Sequence, residues 1–266
     1  MKANLHTHTA RCGHASGADE EYVQAAVQAG FDVLGFSDHV PWPYRSGFRH
    51  PNVRMDVTQI ADYLQSVRGL RERYAGKIRI LAGFEAEYFP DYISWLSDMA
   101  AENGLDYLIL GNHYDRSDEN GIYFGQLTTP EMLSRYVEQT ARGVRTGLFT
   151  YLAHPDLFMR SWKGGYGADF RAAAKDLCQV CRDQGIPMEY NMHMRYEFGT
   201  KEAAGYPCGA FFEIVQQEGI PVVTGLDAHA PEELSDGTLW DKAEKELDVL
   251  GIRRTEMPVL RGFRTK

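Results

Sequence analysis

The chain has 266 residues, 44% hydrophobic and 24% charged, with a mean hydropathy of -0.40. These proportions exclude a disordered, collagen-like or low-complexity chain and allow a sizeable core. With 28 Lys and Arg against 37 Asp and Glu, the net charge of -9 repels a phosphate backbone, so stable nucleic-acid binding is not expected.

The chain opens Met1-Lys2-Ala3-Asn4 and reaches His6 and His8 at once, without a signal-peptide apolar run. No stretch approaches the roughly 18 apolar residues of a membrane span, and a cytoplasmic protein without membrane partners is the expectation. Four cysteines, Cys12, Cys178, Cys181 and Cys208, are too few for a disulfide scaffold and read as thiols.

After a first strand at 3–8, Asp19, Tyr22, Val23, Ala26 and Val27 predict an amphipathic helix ending at Gly30, followed by a strand over 32–38. Pro41 to Asp56, rich in proline, aromatics and arginine, reads as a loop over a site, with Trp42, Tyr44, Arg45 and Phe48 expected to cover it. Ile60, Leu64, Val67 and Leu70 form the next helical stripe, before strands at 78–86 and 106–112. Thr129-Pro130-Glu131 supplies a capping hydroxyl, a proline suited to the first helical position and an acid at the positive end of the dipole. Met132, Leu133, Tyr136, Val137 and Val144 continue that helix to Gly147, and a strand at 149–153 stops at His154-Pro155. Cys178 and Cys181 fall in the helical pattern Phe170, Ala173, Leu177, Val180, so both are expected in the core rather than in redox chemistry. Strands at 187–191 and 221–227 complete seven.

Strands alternating with helices imply a parallel α/β sheet with right-handed crossovers. This many even repeats favour one closed barrel domain over residues 1–266, with function at the carboxyl ends of the strands. Those ends carry His6 and His8, Asp38-His39, Glu85 and Glu87, His113, His154, Asn191 with His193, and Asp227 with His229. Of nine histidines, seven lie at or just past a strand end, His14 lies in the first loop, and His50 alone lies elsewhere. In His6-Thr7-His8 and Asp227-Ala228-His229, alternate residues of an extended segment share a face, so both members of each pair can reach one cavity. Imidazole and carboxylate without thiolate suit Zn, Mn or Fe, and a site this rich should hold more than one ion. Asp38 and Glu87 read as partners that orient imidazoles.

With its N-terminal His-x-His, dispersed His and Glu, and late Asp-x-His, the chain resembles the PHP family of polymerase-and-histidinol-phosphatase domains over residues 3 to about 250. Ser37-Asp38-His39, Glu85 with Tyr88-Phe89-Pro90-Asp91, Asp106-Tyr107 before Gly111-x-His113, and His154-Pro155-Asp156-Leu157 resemble its stand-alone histidinol-phosphate phosphatases. The segment Glu189 to Arg195 departs from their usual phrasing.

The resemblance implies a distorted (β/α)7 TIM-like barrel, three divalent metal ions, and hydrolysis of L-histidinol phosphate to L-histidinol and phosphate by hydroxide formed at the metals. It implies one ion on His6, His8, Glu85 and Asp227, a second on Glu85, His113 and His154, and a third on His14, His39 and His229. Glu85, His39 and Asp227 are the expected catalytic residues, with Arg160 and Arg195 as phosphate ligands. Competing readings are a broad phosphatase or nucleotide phosphodiesterase on the same metals, and a non-catalytic metal-supported module. Sequence leaves the oligomeric state open.

Overall fold

In a computed structural model, the structure describes residues 1–126, 129–198, 205–235 and 237–263. Parallel strands β1 (Ala3–Asn4), β2 (Val33–Phe36), β3 (Arg79–Ala86) and β4 (Tyr107–Leu110) pair in that order, and β5 (Met188–Asn191) pairs with β6 (Val222–Gly225). Between them run α1 (Asp19–Gln28), α2 (Ile60–Arg73), α3 (Ile93–Glu102), α4 (Pro130–Arg145), α5 (Ala168–Gln184), α6 (His193–Phe198) and α7 (Gly209–Gln217). After β6 come α8 (Glu232–Ser235) and α9 (Thr238–Leu250).

The strand expected at 149–153 makes no ladder. Leu152 forms isolated parallel bridges to Leu110 on one side and Met188 on the other. The backbone turns away at once, because His154 takes φ 25° and Pro155 has no N–H to donate. β1 is likewise shorter than the expected 3–8: Asn4 Nδ2 donates to His6 O and Thr7 Oγ1, and Asn4 Oδ1 accepts from Leu226 N at 2.9 Å, so side-chain bonds replace part of the ladder. Thr7 then bridges Ala228, with His8 N donating to Ala228 O at 2.9 Å. The parallel sheet is thus curled, and the exit of β6 meets the exit of β1.

Local signals explain the helices. Thr129 Oγ1 accepts from Met132 N, Pro130 opens α4, and Gly147 follows the helix at φ 73°. The stripe Ile60, Leu64, Val67 and Leu70 is buried, as are Cys178 and Cys181 on α5, where burial pushes the Cys178 thiol up to about 12. Both are free thiols packed in the core. A second apolar cluster, built on Leu5, Val33, Leu81, Tyr107, Ile109, Tyr151 and Val223, fills the concave face of the sheet. Among the described residues no helix is long and apolar enough to cross a membrane.

Candidate functional site

Alternate residues of a strand share a face, so the concave face can be followed outward from that apolar cluster. The successions are Leu81–Gly83–Glu85, Ile109–Gly111–His113 and Val223–Gly225–Asp227. Each runs from an apolar residue through glycine to a group capable of chemistry. At all three glycines the missing side chain is a required space, at Gly83 because a Cβ would lie 2.6 Å from Tyr107 O. A Cβ on Gly111 would lie 2.0 Å from Glu85 Oε1, and one on Gly225 would lie 1.8 Å from Glu189 Oε1.

Glu85 occupies the centre, only 1% exposed. Its Oε2 faces His39 Nδ1 at 2.9 Å, His6 Nε2 at 3.5 Å and His8 Nε2 at 3.7 Å. Its Oε1 faces His154 Nε2 at 2.7 Å and His113 Nε2 at 3.3 Å. Asp227 Oδ1 lies 3.1 Å from His8 Nε2 and 3.4 Å from His6 Nε2, so both histidines of the first pair do share one pocket. The Asp227–His229 pair reaches it by a left-handed turn at Asp227, φ 51°, in place of the expected extended run. Asp227 and His154 are the non-glycine residues with positive φ among those described, and strain of this kind collects at functional sites. His14 Nε2 and His229 Nε2 meet at 3.0 Å.

Whether these residues fit metal ions can be tested on their unpaired atoms. His6 Nε2, His8 Nε2, Glu85 Oε2 and Asp227 Oδ1 are buried without a hydrogen-bond partner. When His6 Nδ1 donates to Glu189 Oε1, at 2.9 Å, Nε2 carries a lone pair, and it faces two carboxylate oxygens. With the His8 proton likewise on Nδ1, toward Asp38 Oδ1 at 3.5 Å, acceptors converge there without a donor. A buried arrangement of that kind is expensive unless a cation lies among them. Donor atoms of His6, His8 and Glu85 lie within 4.8 Å of one another, as do those of His39, Glu85 and His113, of His6, His154 and Asp227, and of His14, His39 and His229. The residues fit divalent cations.

The electrostatics agree. Burial opposes charge on His6, yet Asp227, Glu189 and Glu85 hold its imidazole well above the ordinary range. Against the same opposition, His8 is raised to about 9 by Asp227 and Asp38, and His113 to about 10 by Glu85 and Glu87. Burial would also raise Glu85 and Asp227, but the imidazoles hold both well below the carboxylate range. Burial first, and His8 next, push His14 and His229 down. Anionic oxygens buried this deeply demand compensating positive charge, from protons or from metal.

Of the two residues expected to orient imidazoles, Glu87 Oε1 accepts from His113 Nδ1 at 2.9 Å, and Asp38 Oδ1 lies 3.5 Å from His8 Nδ1. Arg160 lines the cavity mouth, with Nη1 donating to Tyr123 Oη at 3.3 Å. Arg195 is not brought there. Its guanidinium is buried, bonded to Pro207 O and 3.7 Å from Glu246, because α6 begins at His193 and ends the strand alternation on which its placement depended. Trp42 and Tyr44 also turn inward: Trp42 Nε1 donates to Glu87 Oε2, and Tyr44 Oη bonds Asp118. From that loop it is His50 and Val53 that line the cavity, of about 360 Å³, together with Tyr114, Tyr123, Gln126 and His193.

Several of these residues escaped the sequence reading, His50 and Glu189 among them. His50 sits far from any strand end, and no periodic signal marks it. Glu189 lies on β5, two residues before Asn191, and that alternation was the available sign that it faces inward.

Comparison with known proteins places the chain among relatives. The family model described as PHP domain matches residues 4–193. The probable histidinol-phosphatase of Deinococcus radiodurans is 29% identical over 262 residues, covering 93% of each chain. The histidinol-phosphatase of Bacillus subtilis is 24% identical, covering 86% of this chain and 94% of its own. Among solved structures, histidinol phosphate phosphatase from Lactococcus lactis, complexed with zinc, L-histidinol and phosphate, shares the fold with a TM-score of 0.74 at 16% identity, covering 100% of this chain and 98% of its own. The chain belongs to the PHP domain family.

Proposed function

We propose that the protein is a metal-dependent phosphomonoesterase acting on L-histidinol phosphate. The observation that carries this reading is the convergence of buried, unpaired acceptor atoms from His6, His8, Glu85 and Asp227 on one point of the concave face. Relatives named as histidinol-phosphatases, matched over most of their length, support the substrate and one domain over residues 1–266. The bridges of Leu152 to both neighbours and of Thr7 to Ala228 support reading the curled sheet as a distorted (β/α)7 barrel with segment 149–153 as a seventh stave.

In this reading His6, His8, Glu85 and Asp227 hold one ion, Glu85, His113 and His154 a second, and His14, His39 and His229 a third. The split of the Glu85 oxygens between two groups of imidazoles supports a bridging role. Divalent cations bound there supply Lewis acidity, neutralising phosphoryl charge and lowering the pKa of water. Arg160 grips a phosphoryl oxygen from the cavity mouth. His39 and Asp227 line the cavity, where they would orient the water that gives the departing alkoxide its proton. Tyr114 and Tyr123 offer aromatic walls to the organic end of the substrate.

The test is phosphate release from L-histidinol phosphate beside p-nitrophenyl phosphate and a dinucleotide, with metal content measured on the same sample. Preference for L-histidinol phosphate supports the reading. Equal rates on the simple ester, or preference for the dinucleotide, replace it with a broad phosphatase or a phosphodiesterase.

A further inference from the structure

Glu189 is a buried carboxylate beside the site that the proposed ligand set leaves unused. It is 0% exposed, and its two oxygens serve separate parts of the site. Oε1 accepts from His6 Nδ1 at 2.9 Å, while Oε2 accepts from the His154 backbone N–H at 3.0 Å and from Asn191 Nδ2 at 2.8 Å. The same Asn191 amide donates to Asp227 Oδ2 at 3.1 Å. His6, His154 and Asp227 arrive from three separate segments of the chain, and the Glu189–Asn191 pair touches all of them.

The geometry points to Glu189 as a positioning residue that sets the shape of the metal centre, fixing His6 with its Nε2 lone pair inward and holding His154 in its left-handed backbone conformation. Two features support the assignment beyond the hydrogen bonds. Gly225 leaves the space that the carboxylate fills, since a Cβ there would lie 1.8 Å from Oε1. The charge also needs explaining. The carboxylate is paired with the His6 imidazole, itself a candidate ligand, and Oε1 also accepts from Tyr151 Oη at 3.5 Å, so its charge is met from within the site. The inference rests on the ligand set proposed above.

Glu189→Gln separates this role from packing. The amide has nearly the same shape but one acceptor oxygen, and it must meet N–H donors from both His6 and His154. Whichever way it lies, its own NH2 confronts one of them. Gly225→Ala displaces the same carboxylate without altering any proposed ligand. Metal affinity is measured by competition with a chelator, and the melting temperature of metal-free protein is measured alongside.

We expect Glu189→Gln to weaken metal binding by roughly 10–100-fold. Its metal-free melting temperature should fall by only a few degrees, roughly what one unpaired buried donor costs. Gly225→Ala should weaken metal binding in the same direction. If native protein holds metal and Glu189→Gln holds it equally well, the inference fails alone. It also fails if the metal-free Glu189→Gln protein melts lower with unchanged metal affinity, since the role is then packing. Native protein that holds no metal removes the proposed centre, and this inference with it.

Discussion

His14 Nε2 and His229 Nε2 face each other at 3.0 Å, though the residues are 215 apart in the chain. Each ring has its other nitrogen against a carbonyl, His14 Nδ1 at 3.4 Å from Cys12 O and His229 Nδ1 at 2.8 Å from Asp227 O. When both Nδ1 atoms donate, two lone pairs point at one another, and a cation between them is the stable arrangement. His14→Ala should therefore lower metal content and cut kcat/KM by more than the roughly 10–100-fold typical of losing a ligand's hydrogen-bonded neighbour. Because His14 keeps part of its surface in solvent, metal-free stability should hardly change. Elemental analysis, steady-state kinetics and melting of metal-free protein check the three parts.

Gly111→Ala tests the space reserved for Glu85. The added methyl would lie 2.0 Å from Oε1 of the buried Glu85 carboxylate, so the carboxylate must move. Overpacking of this kind destabilises by about 1–3 kcal/mol. Activity should fall far more than that stability change alone explains. Urea unfolding and phosphate release on the same preparation make the comparison.

Arg54 ties the long loop to the site. Buried, it donates from Nη2 to Glu87 Oε1 and from Nε to Asp118 Oδ2, both at 2.6 Å, and from Nη1 to Val40 O at 3.0 Å. Arg54→Met leaves two buried carboxylates without their cation, an expected loss of about 3–5 kcal/mol at neutral pH. The pH dependence has a definite sign. Burial would raise Glu87, but Arg54 and His113 hold it well below its ordinary 4.5. A depressed carboxylate contributes stability above its unfolded pKa and loses it as pH falls. The gap between native and Arg54→Met should thus be widest near neutrality and narrow below 4.5, as urea unfolding of metal-free protein at several pH values would register.

The two arginines expected on phosphate should now behave differently. Arg160 lines the cavity, and removing a charge-assisted hydrogen bond costs about 1.5–3 kcal/mol, so Arg160→Ala should lower kcat/KM by roughly 10–100-fold. Arg195→Ala should mainly destabilise, because its guanidinium is buried against Pro207 O and Glu246. Kinetics on a phosphomonoester with parallel melting curves distinguish them. An unchanged kcat/KM for Arg160→Ala would remove it from phosphate binding.

Most of the candidate ligands were legible because they stand where an apolar run ends, as in Leu108 to His113 or Val222 to Asp227, and strand ends of a parallel sheet converge. Alternation also explained why His6 and His8 share a pocket. Less visible were features set by long-range contact. Glu189 reads locally as an ordinary strand acid, and its role depends on Gly225 in the neighbouring strand. His50 reaches the cavity because Arg54, Trp42 and Tyr44 pull the rest of its loop inward. Arg195 was misplaced for a local reason: the alternation through Asn191 ends at His193, where a helix starts.

The central claim is that these side chains hold divalent ions that drive phosphoester hydrolysis. Its most direct test is the metal content of the purified protein, measured with phosphate release from L-histidinol phosphate before chelation, after it, and after adding back zinc, manganese or iron. The account predicts bound metal, loss of turnover with its removal, and recovery on its return. Turnover that survives complete removal of metal, or a protein that binds no ion even in excess, would contradict it.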